Sequence, residues 1–321
     1  MDENNAPQPI ALEGPGMLAP WTRCIRRRGD NLFAKTNQPM INLEKLSDRD
    51  LPPLKPMVIR LWQLLNAPNT RLQDIVEAMS AEPVLCARIM AISNSPMYRG
   101  LDEITSPQKA LVRLGLNEVK GIVYYLTLAD SVTKNAFPPS FSIRRFWTHS
   151  LSTALLSKKL MQYYPSLFPM SPEEQDGTYL AGLLHDIGYV VMATLMPGEF
   201  TVMAKIWEEG GRNPLDVEEK LFGVSHPLLS AKALKLWKFP KNVQLAVYAH
   251  HREVAQDSPP AIMLIKLADY LATKAGYHFN PMFTADMKGL GVPLFLLEND
   301  YQPVVEEVAL KVETLVNQAF T

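Results

Sequence analysis

The sequence predicts an all-α protein with many helices, on three observations. Apolar residues recur at three- and four-residue spacing along most of the chain, as they do on the buried face of a helix. No run of alternating apolar and polar residues is convincing as a strand. Most of the 26 prolines stand at predicted helix starts or in connections, where the missing N–H costs nothing.

Composition excludes several classes of protein. With 321 residues, 47% apolar and 20% charged, the chain is an ordinary globular protein of one large or two modest domains. A net charge of -1 provides no global positive field for nucleic acid or acidic lipid. Two cysteines fit a reducing compartment, and the acidic N-terminus does not look like a signal peptide. We therefore expect a cytoplasmic protein.

Helix signals follow one another through the first half of the chain. Thr70 and Gln73 resemble a capping box at the start of a helix. Pro83 fits the first residue of the next helix. A helix that begins at Ser106-Pro107 should end near Gly115, and Asn117 is the predicted cap of the helix after it.

The second half of the chain carries longer apolar patterns. The run 178–196 is as apolar as a membrane span, but His185 and Asp186 interrupt it, so we expect a buried helix. The last pattern has a valine-rich stripe that we expect to pack on the body of the protein rather than on a partner. The predicted helical segments are 146–164, 178–196, about 198–209, 214–225, 226–239, 241–251, 260–276 and 303–320.

Histidines and aspartates cluster in the second half. Five of the six histidines fall between residues 149 and 251, and His278 is the one left over. Asp186 and Asp269 lie within helices so apolar that their carboxylates need partners. Imidazole and carboxylate are ligands for Zn, Fe and Mn. Any one histidine in an apolar helix is more often an ordinary core residue, but the whole set favours a metal site.

The spacing of these residues suggests how such a site would form. Adjacent residues on a helix point about 100° apart, so His185 and Asp186 could contact one metal ion, or one ion and its neighbour. The remaining ligands would come from separate helices that converge on a bundle interior.

The order of short motifs resembles the HD-related output domain family, a regulatory branch of the HD phosphohydrolase superfamily. The resemblance covers roughly residues 47–270, and it depends on the order of the motifs rather than on any single one. The motifs are LPPL (51–54), ARIMAISNSPMYRG (87–100), ITSPQKALVRLGLNEVKGIV (104–123), FWTHS (146–150), AGLLHDIG (181–188), FGVSHPLLSAKALKLWKFP (222–240) and AHH (249–251).

The resemblance implies an all-α fold with two lobes. The domains would be a poorly structured arm at 1–46, an N-terminal helical lobe at 47–138, an HD-like helical lobe at 139–285 and a C-terminal segment with an amphipathic helix at 286–321.

The resemblance also implies a ligand set. His149, His185, Asp186 and Asp269 stand at the metal positions of the HD superfamily. Three more histidines match the spacing of those that the binuclear HD-GYP branch adds: His226, His250 and His251. One or two divalent ions of Fe, Mn or Zn are the implied cofactors.

Two departures separate the chain from the HD-GYP enzymes. Tyr189 occupies the place of a lysine that contacts phosphate in those enzymes, and the stretch after His251 has no GYP loop. A cyclic dinucleotide phosphodiesterase is therefore not expected. Another cation, such as Lys232, Lys235 or Arg252, would have to neutralise a phosphate ester.

Two functions stay open at this point. The first is a signalling module that acts on a protein partner, with any metal in a structural role. The alternative is a metal-dependent phosphohydrolase acting on a phosphate-containing small molecule, with Asp186 as the catalytic residue. The helix pair with Arg113 and Lys120 could be taken for a helix-turn-helix that binds nucleic acid, but the net charge disfavours this function. We expect neither nucleic acid nor membrane as a partner.

Overall fold

Helices make up the regular structure of the protein, which is known from a computed structural model. It describes residues 40–320 except 55, 57–59, 61–62, 65–66, 68–70, 134–135, 254–257 and 282–299. Within these residues there is no strand, and a short 3-10 helix, Asp48–Asp50, accompanies the α-helices. The all-α prediction is confirmed.

The helices follow the predicted order. Prolines stand in the first turn of many of them, as expected from their missing N–H. The helices are α1 Leu72–Ser80, α2 Pro83–Ser93, α3 Pro107–Leu114, α4 Leu116–Thr133, α5 Ile143–Tyr163, α6 Pro172–Leu184, α7 Ile187–Leu195, α8 Pro197–Glu209, α9 Pro214–Phe222, α10 His226–Leu236, α11 Lys241–Ala249, α12 Pro260–Lys274 and α13 Gln302–Ala319.

The predicted start of α1 is wrong. Arg71 is the N-cap residue, and its N–H donates to Asp74 Oδ2 at 3.1 Å. Gln73 instead donates from its side chain to Glu77 one turn later, at 3.3 Å. Thr70 lies outside the described residues. A carboxylate three residues after the N-cap accepts from its backbone N–H, the arrangement of a capping box.

The junction between α3 and α4 is tighter than predicted. Gly115 ends α3 with a φ of 78°, a conformation that favours glycine, as expected. However, α4 begins directly at Leu116, so Asn117 lies inside the helix and does not cap it. Arg113 of this helix pair donates to the Asp102 carbonyl at 2.6 Å, and Lys120 is buried.

The apolar run 178–196 forms two helices and not one. α6 ends at Leu184 and α7 begins at Ile187, with His185 and Asp186 at the break. By length and composition the segment Gly177–Leu195 could cross a membrane, but 89% of its most apolar window is buried inside the protein. Its apolar character is that of a core element.

One long helix organises the second half of the molecule. α5 packs against α6, α12 and α13, while α10 packs against both α7 and α11. α11 in turn contacts α6 and α12. The helices that carry histidines and aspartates therefore surround a common interior.

The C-terminal helix α13 packs on the body, as predicted. It contacts α5 and also α2 and α4, and its valine stripe is buried at Val304, Val308 and Val312. Helices of both predicted lobes belong to one compact unit, residues 39–321. The domain boundaries stay a prediction. Of the predicted arm only 40–46 is described, and there the Ile41 N–H donates to the Phe222 carbonyl at 2.9 Å.

Candidate metal centre

Four helices and one helix break bring the predicted residues together. α5 carries His149 and α12 carries Asp269, while His185 and Asp186 occupy the α6–α7 break. His226 is the first residue of α10. His250 caps the C-terminus of α11, with His251 next to it. The structure places all seven in two groups whose ligand atoms lie within 4.8 Å of one another: His149, His185 and Asp269; and Asp186, His226, His250 and His251.

The first group has its donor atoms at mutual contact. His149 Nε2 lies 3.1 Å from His185 Nε2 and 3.2 Å from Asp269 Oδ1. His185 Nε2 lies 3.9 Å from the same carboxylate oxygen. Ligands held about 2.1 Å from a tetrahedral ion are about 3.4 Å apart, so these separations suit a shared cation.

Asp186 joins the first group to the second. Its Oδ2 lies 3.4 Å from His149 Nε2 and 3.5 Å from His185 Nε2. Its Oδ1 lies 3.1 Å from His226 Nε2 and 3.6 Å from His250 Nε2. The carboxylate thus offers one oxygen to each group, and the service of His185 and Asp186 to one ion and its neighbour stays a prediction.

Hydrogen bonds of the Nδ1 atoms fix the orientation of the histidine rings. In four of them Nδ1 faces an oxygen that only accepts hydrogen bonds, so Nδ1 must carry the proton. When such a ring is neutral, its Nε2 lone pair therefore points at the centre, as in metal-binding histidines. The acceptors are the carbonyls of Tyr277 for His149 at 2.7 Å, Gly182 for His185 at 2.8 Å and Val247 for His250, and the Glu218 carboxylate for His226 at 2.8 Å.

Glu218 is a functional residue that the sequence analysis missed. Its buried carboxylate accepts from the His226 backbone N–H at 2.7 Å as well as from the ring. It also accepts from the Tyr189 hydroxyl at 2.6 Å, and the Tyr189 ring stacks on His226 with centroids 4.2 Å apart. The signal was present in the sequence, since Glu218 falls on the apolar face of α9 with Val217 and Leu221.

Lys266 is the second residue that was missed. It is fully buried and its Nζ donates to the His250 carbonyl at 2.8 Å, one turn before Asp269 on α12. Burial lowers the pKa of Lys266 to about 8. Its surroundings, IMLIKLAD, are as apolar as those of Asp269.

The cations proposed from the sequence are not buried with the candidate ligands. Lys235 and Arg252 are exposed, and Lys232 is half-buried. The Arg252 guanidinium lies 4.0 Å from the centre of the Tyr248 ring.

Glycines on both sides of the His185-Asp186 break allow the helices to meet. A Cβ on Gly182 would lie 2.6 Å from Ala154 Cα, so α6 touches the backbone of α5. A Cβ on Gly188 would lie 2.4 Å from the His226 carbonyl oxygen, so α7 touches the start of α10. The motif AGLLHDIG therefore combines two ligands with the two close contacts that position them.

The buried carboxylates of the centre stabilise positive charge. Burial by itself opposes protonation of His149, but the Asp186 and Asp269 carboxylates raise its pKa to about 10. In the second group, burial opposes protonation of His226, and Glu218 with Asp186 raises its pKa to about 9. Each group contains a position where a cation is stabilised.

Two further features show that the residues fit a bound metal. Two Nε2 atoms face each other at 3.1 Å between His149 and His185 and at 3.3 Å between His226 and His250, so each pair needs a proton or a metal cation between its two lone pairs. The buried Asp186 Oδ1 has no partner with hydrogen-bond geometry. Cations placed among these atoms would satisfy them all.

Comparison with known proteins places the chain in a family context. The profile of the HDOD domain matches residues 51–253. A protein of Treponema pallidum, described as uncharacterized, is 21% identical over 228 residues, which is 70% of this chain and 43% of the relative. The chain therefore spans less than half the length of that curated relative.

Solved structures share the fold. An HDOD domain protein of unknown function from Geobacter sulfurreducens matches with a TM-score of 0.67 and 22% identity, over 84% of this chain and 92% of its own. A protein from Shewanella amazonensis provisionally described as a phosphohydrolase has a TM-score of 0.65, with 17% identity over 84% and 96%. One from Marinobacter aquaeolei, provisionally described as a signal transduction protein, has a TM-score of 0.61, with 22% identity over 85% and 60%.

Proposed function

The chain belongs to the HDOD domain family, and on that premise we propose that it is a bacterial regulatory module with a metal centre in its HD-like part. The centre holds one or two ions of Fe, Mn or Zn and has a structural role. The module acts in the cytoplasm on a protein partner. The shared fold of a protein described as a signal transduction protein supports this assignment.

The position of Asp186 carries the proposal of a metal centre. Its carboxylate presents one oxygen to each of two ligand groups. Such a bridge is typical of sites with two neighbouring ions. A histidine buried only for packing would need no carboxylate shared between two groups of histidines.

Burial of the ligands favours a structural role over catalysis. Six of the seven residues are at most 5% exposed, and His251 is half-buried. Tyr189 stands where the HD-GYP enzymes have a lysine that contacts phosphate. Its hydroxyl donates a hydrogen bond to Glu218. A substrate phosphate would find no cation at that position.

A metal-dependent phosphohydrolase is the second candidate, favoured by the bridging carboxylate itself. A bound divalent ion supplies a water of lowered pKa as nucleophile. Asp186 and the histidines would hold the ions in that case, and the buried ammonium of Lys266 beside His250 adds positive charge nearby. Two Shewanella amazonensis proteins of this fold carry phosphohydrolase descriptions.

Metal stoichiometry tests the proposed centre. We expect purified protein to contain close to two transition-metal ions per chain by elemental analysis. Asp269→Asn removes a ligand from the first group only, so about one ion should remain. Asp186→Asn removes the shared ligand and should lower occupancy at both sites. Asp216→Asn, an exposed residue of α9, is the matched control and should keep the full content.

The outcomes separate the two candidates. Background metal content in the unmodified protein, or equal content in the Asp186→Asn and Asp216→Asn proteins, would disprove the centre. With the metal-loaded protein, we expect no hydrolysis of phosphate monoesters, phosphodiesters or nucleotides above the Asp186→Asn background. Turnover that disappears in Asp186→Asn would replace the structural role with the phosphohydrolase.

A further inference from the structure

A short segment after α12 is connected to both groups of candidate ligands. α12 ends at Lys274, and Gly276 has a φ of 89°, a conformation that favours glycine. The Tyr277 N–H then donates to the Ala272 carbonyl at 2.9 Å, which closes the end of the helix. Residues 277–280, here named the latch, belong to no helix.

The start of the latch holds a histidine of the first group. The Tyr277 carbonyl accepts the hydrogen bond of His149 Nδ1 at 2.7 Å, while His149 Nε2 lies 3.2 Å from Asp269 Oδ1. The carbonyl of the next latch residue, His278, accepts from Arg145 at 3.4 Å, one turn before His149 on α5. Two successive carbonyls of the latch therefore face α5.

The end of the latch reaches the second group through two intermediate side chains. Asn280 Nδ2 donates to the Tyr189 hydroxyl at 3.3 Å, and that hydroxyl donates to Glu218 at 2.6 Å. Glu218 in turn accepts from His226 Nδ1 at 2.8 Å. Asn280 is 3% exposed, so its bond to Tyr189 is shielded from water. Four consecutive residues thus support one histidine in each group.

An aromatic pocket holds the middle of the latch. Phe279 is buried, and its ring contacts four others, with centroids 5.1–5.9 Å apart: Phe141, Phe146, Tyr189 and Trp207. Among the described residues, the backbone N–H groups of His278 and Phe279 donate no hydrogen bond. The position of the latch therefore depends on its side chains and carbonyls rather than on regular backbone structure.

A cation at the Nε2 atoms would strengthen these contacts. It withdraws electron density from the imidazole, so the Nδ1–H becomes a stronger donor to the acceptor behind it. Binding linkage is also reciprocal. If the latch helps to orient the ligands and so raises the affinity for a metal, the bound metal must stabilise the docked latch by the same free energy.

We propose that the latch is a metal-dependent device: a bound metal holds residues 277–280 against the centre, and loss of the metal releases them. On release, Phe279 leaves its aromatic pocket. Asn280 is a positioning residue, because it reaches His226 only through other side chains. This inference rests on the proposed metal centre, and it extends the effect of metal occupancy to a segment that contains none of the seven ligands.

Hydrogen–deuterium exchange of the full chain tests the latch. Exchange is measured by mass spectrometry with Zn²⁺ bound and again after chelation. We expect the backbone amides of residues 277–280 to exchange about tenfold faster without the metal. Two reference segments report on the rest of the fold and should change little: α3, and residues 151–160 in the buried part of α5.

A pair of substitutions tests the path through Tyr189. Asn280→Ala removes the donor and should weaken Zn²⁺ binding about fivefold, as measured by competition with a chelating dye. Because Asn280 acts through the Tyr189 hydroxyl, adding Asn280→Ala to Tyr189→Phe should cause no further loss. Asn117→Ala, exposed on α4, is the matched control and should keep the original affinity. Thermal unfolding confirms that each protein is folded.

The outcomes distinguish the latch from the metal centre. If elemental analysis shows bound Zn²⁺ but exchange of residues 277–280 is the same with and without it, the latch is disproved and the centre stands. Equally fast exchange in both reference segments after chelation would also overturn the latch, because the whole domain would then be opening. Losses of affinity that add fully in the double variant would exclude the path through Tyr189. A protein that binds no Zn²⁺ would overturn the centre and the latch together.

Discussion

At the scale of single residues, the centre depends on groups that are not ligands. Glu218 holds His226 through both its backbone and its ring, and Tyr189 holds Glu218. Such outer contacts fix the tautomer of a ligating imidazole and raise its basicity. Tyr189 therefore has a different task from the lysine that stands at its position in the HD-GYP enzymes.

Replacing Glu218 with glutamine should weaken metal binding without removing a ligand. The amide nitrogen cannot accept the hydrogen bonds that the carboxylate accepts from His226 and Tyr189, so the ring loses its orientation. We expect affinity for the metal to fall about 10- to 100-fold, as measured by competition with a chelating dye. Tyr189→Phe keeps the stacked ring and should have a smaller effect. Glu219→Gln, exposed on the same helix, is the control, and equal affinities for Glu218→Gln and Glu219→Gln would contradict this role.

At the scale of helices, the break between α6 and α7 positions the bridging carboxylate. The continuous apolar pattern predicts one helix, but backbone contacts at Gly182 and Gly188 hold the two segments against different neighbours, α5 and α10. Asp186 at the N-cap of α7 is thereby placed between His149 and His226.

Gly188→Ala should disturb this contact. The new methyl group would lie 2.4 Å from the His226 carbonyl oxygen, and backbone on both sides cannot move away cheaply. Overpacking of this kind costs about 3 kcal/mol of unfolding free energy, measurable by urea denaturation. Gly198→Ala, at the start of α8 with nothing within 4 Å of the added atom, should change stability by less than about 1 kcal/mol. Similar unfolding free energies for the Gly188→Ala and Gly198→Ala proteins would contradict this, because they would show that α7 and α10 can move apart without loss of stability.

At the scale of the whole molecule, an ion network connects distant parts of the chain. Glu118 of α4 pairs with Lys158 of α5 and Lys311 of α13, and it accepts a hydrogen bond from the Tyr98 hydroxyl at 2.6 Å. Burial by itself would raise the pKa of Glu118, but Lys311 and Lys158 outweigh it and hold the pKa at about 2.

This network should make stability depend on pH in the acid range. Because the pKa of Glu118 is about 2 in the folded protein and 4.5 ordinarily, its contribution is fully present above pH 4.5. It is lost as the pH falls towards 2. Glu118→Gln should therefore cost about 2 kcal/mol at pH 7 and progressively less at lower pH, as measured by denaturant unfolding between pH 7 and 2.5. Glu313→Gln, exposed on α13, is the control. A deficit for Glu118→Gln that stays constant down to pH 2.5 would assign the effect to packing.

Local sequence determined much of the architecture. Two helix starts were predictable from Pro83 and Pro107, and one helix end from Gly115. Proline and glycine act on φ and on the backbone N–H within a few residues, so their effect can be read from the local sequence. The seven site residues were recognisable because imidazole and carboxylate groups are rare in segments so apolar. The helix start predicted from Thr70 and Gln73 lies one residue before the observed N-cap, Arg71, so such local signals define a helix end only to within a residue or two.

Only the tertiary structure decided which of these groups meet. Asp186 bridges His149 and His226, which lie 37 residues before it and 40 residues after it in the chain. Glu218 and Lys266 gain their places beside the candidate ligands from contacts across helices. Periodicity states which face of a helix is buried, but the pairing of buried faces depends on the packing of the whole chain.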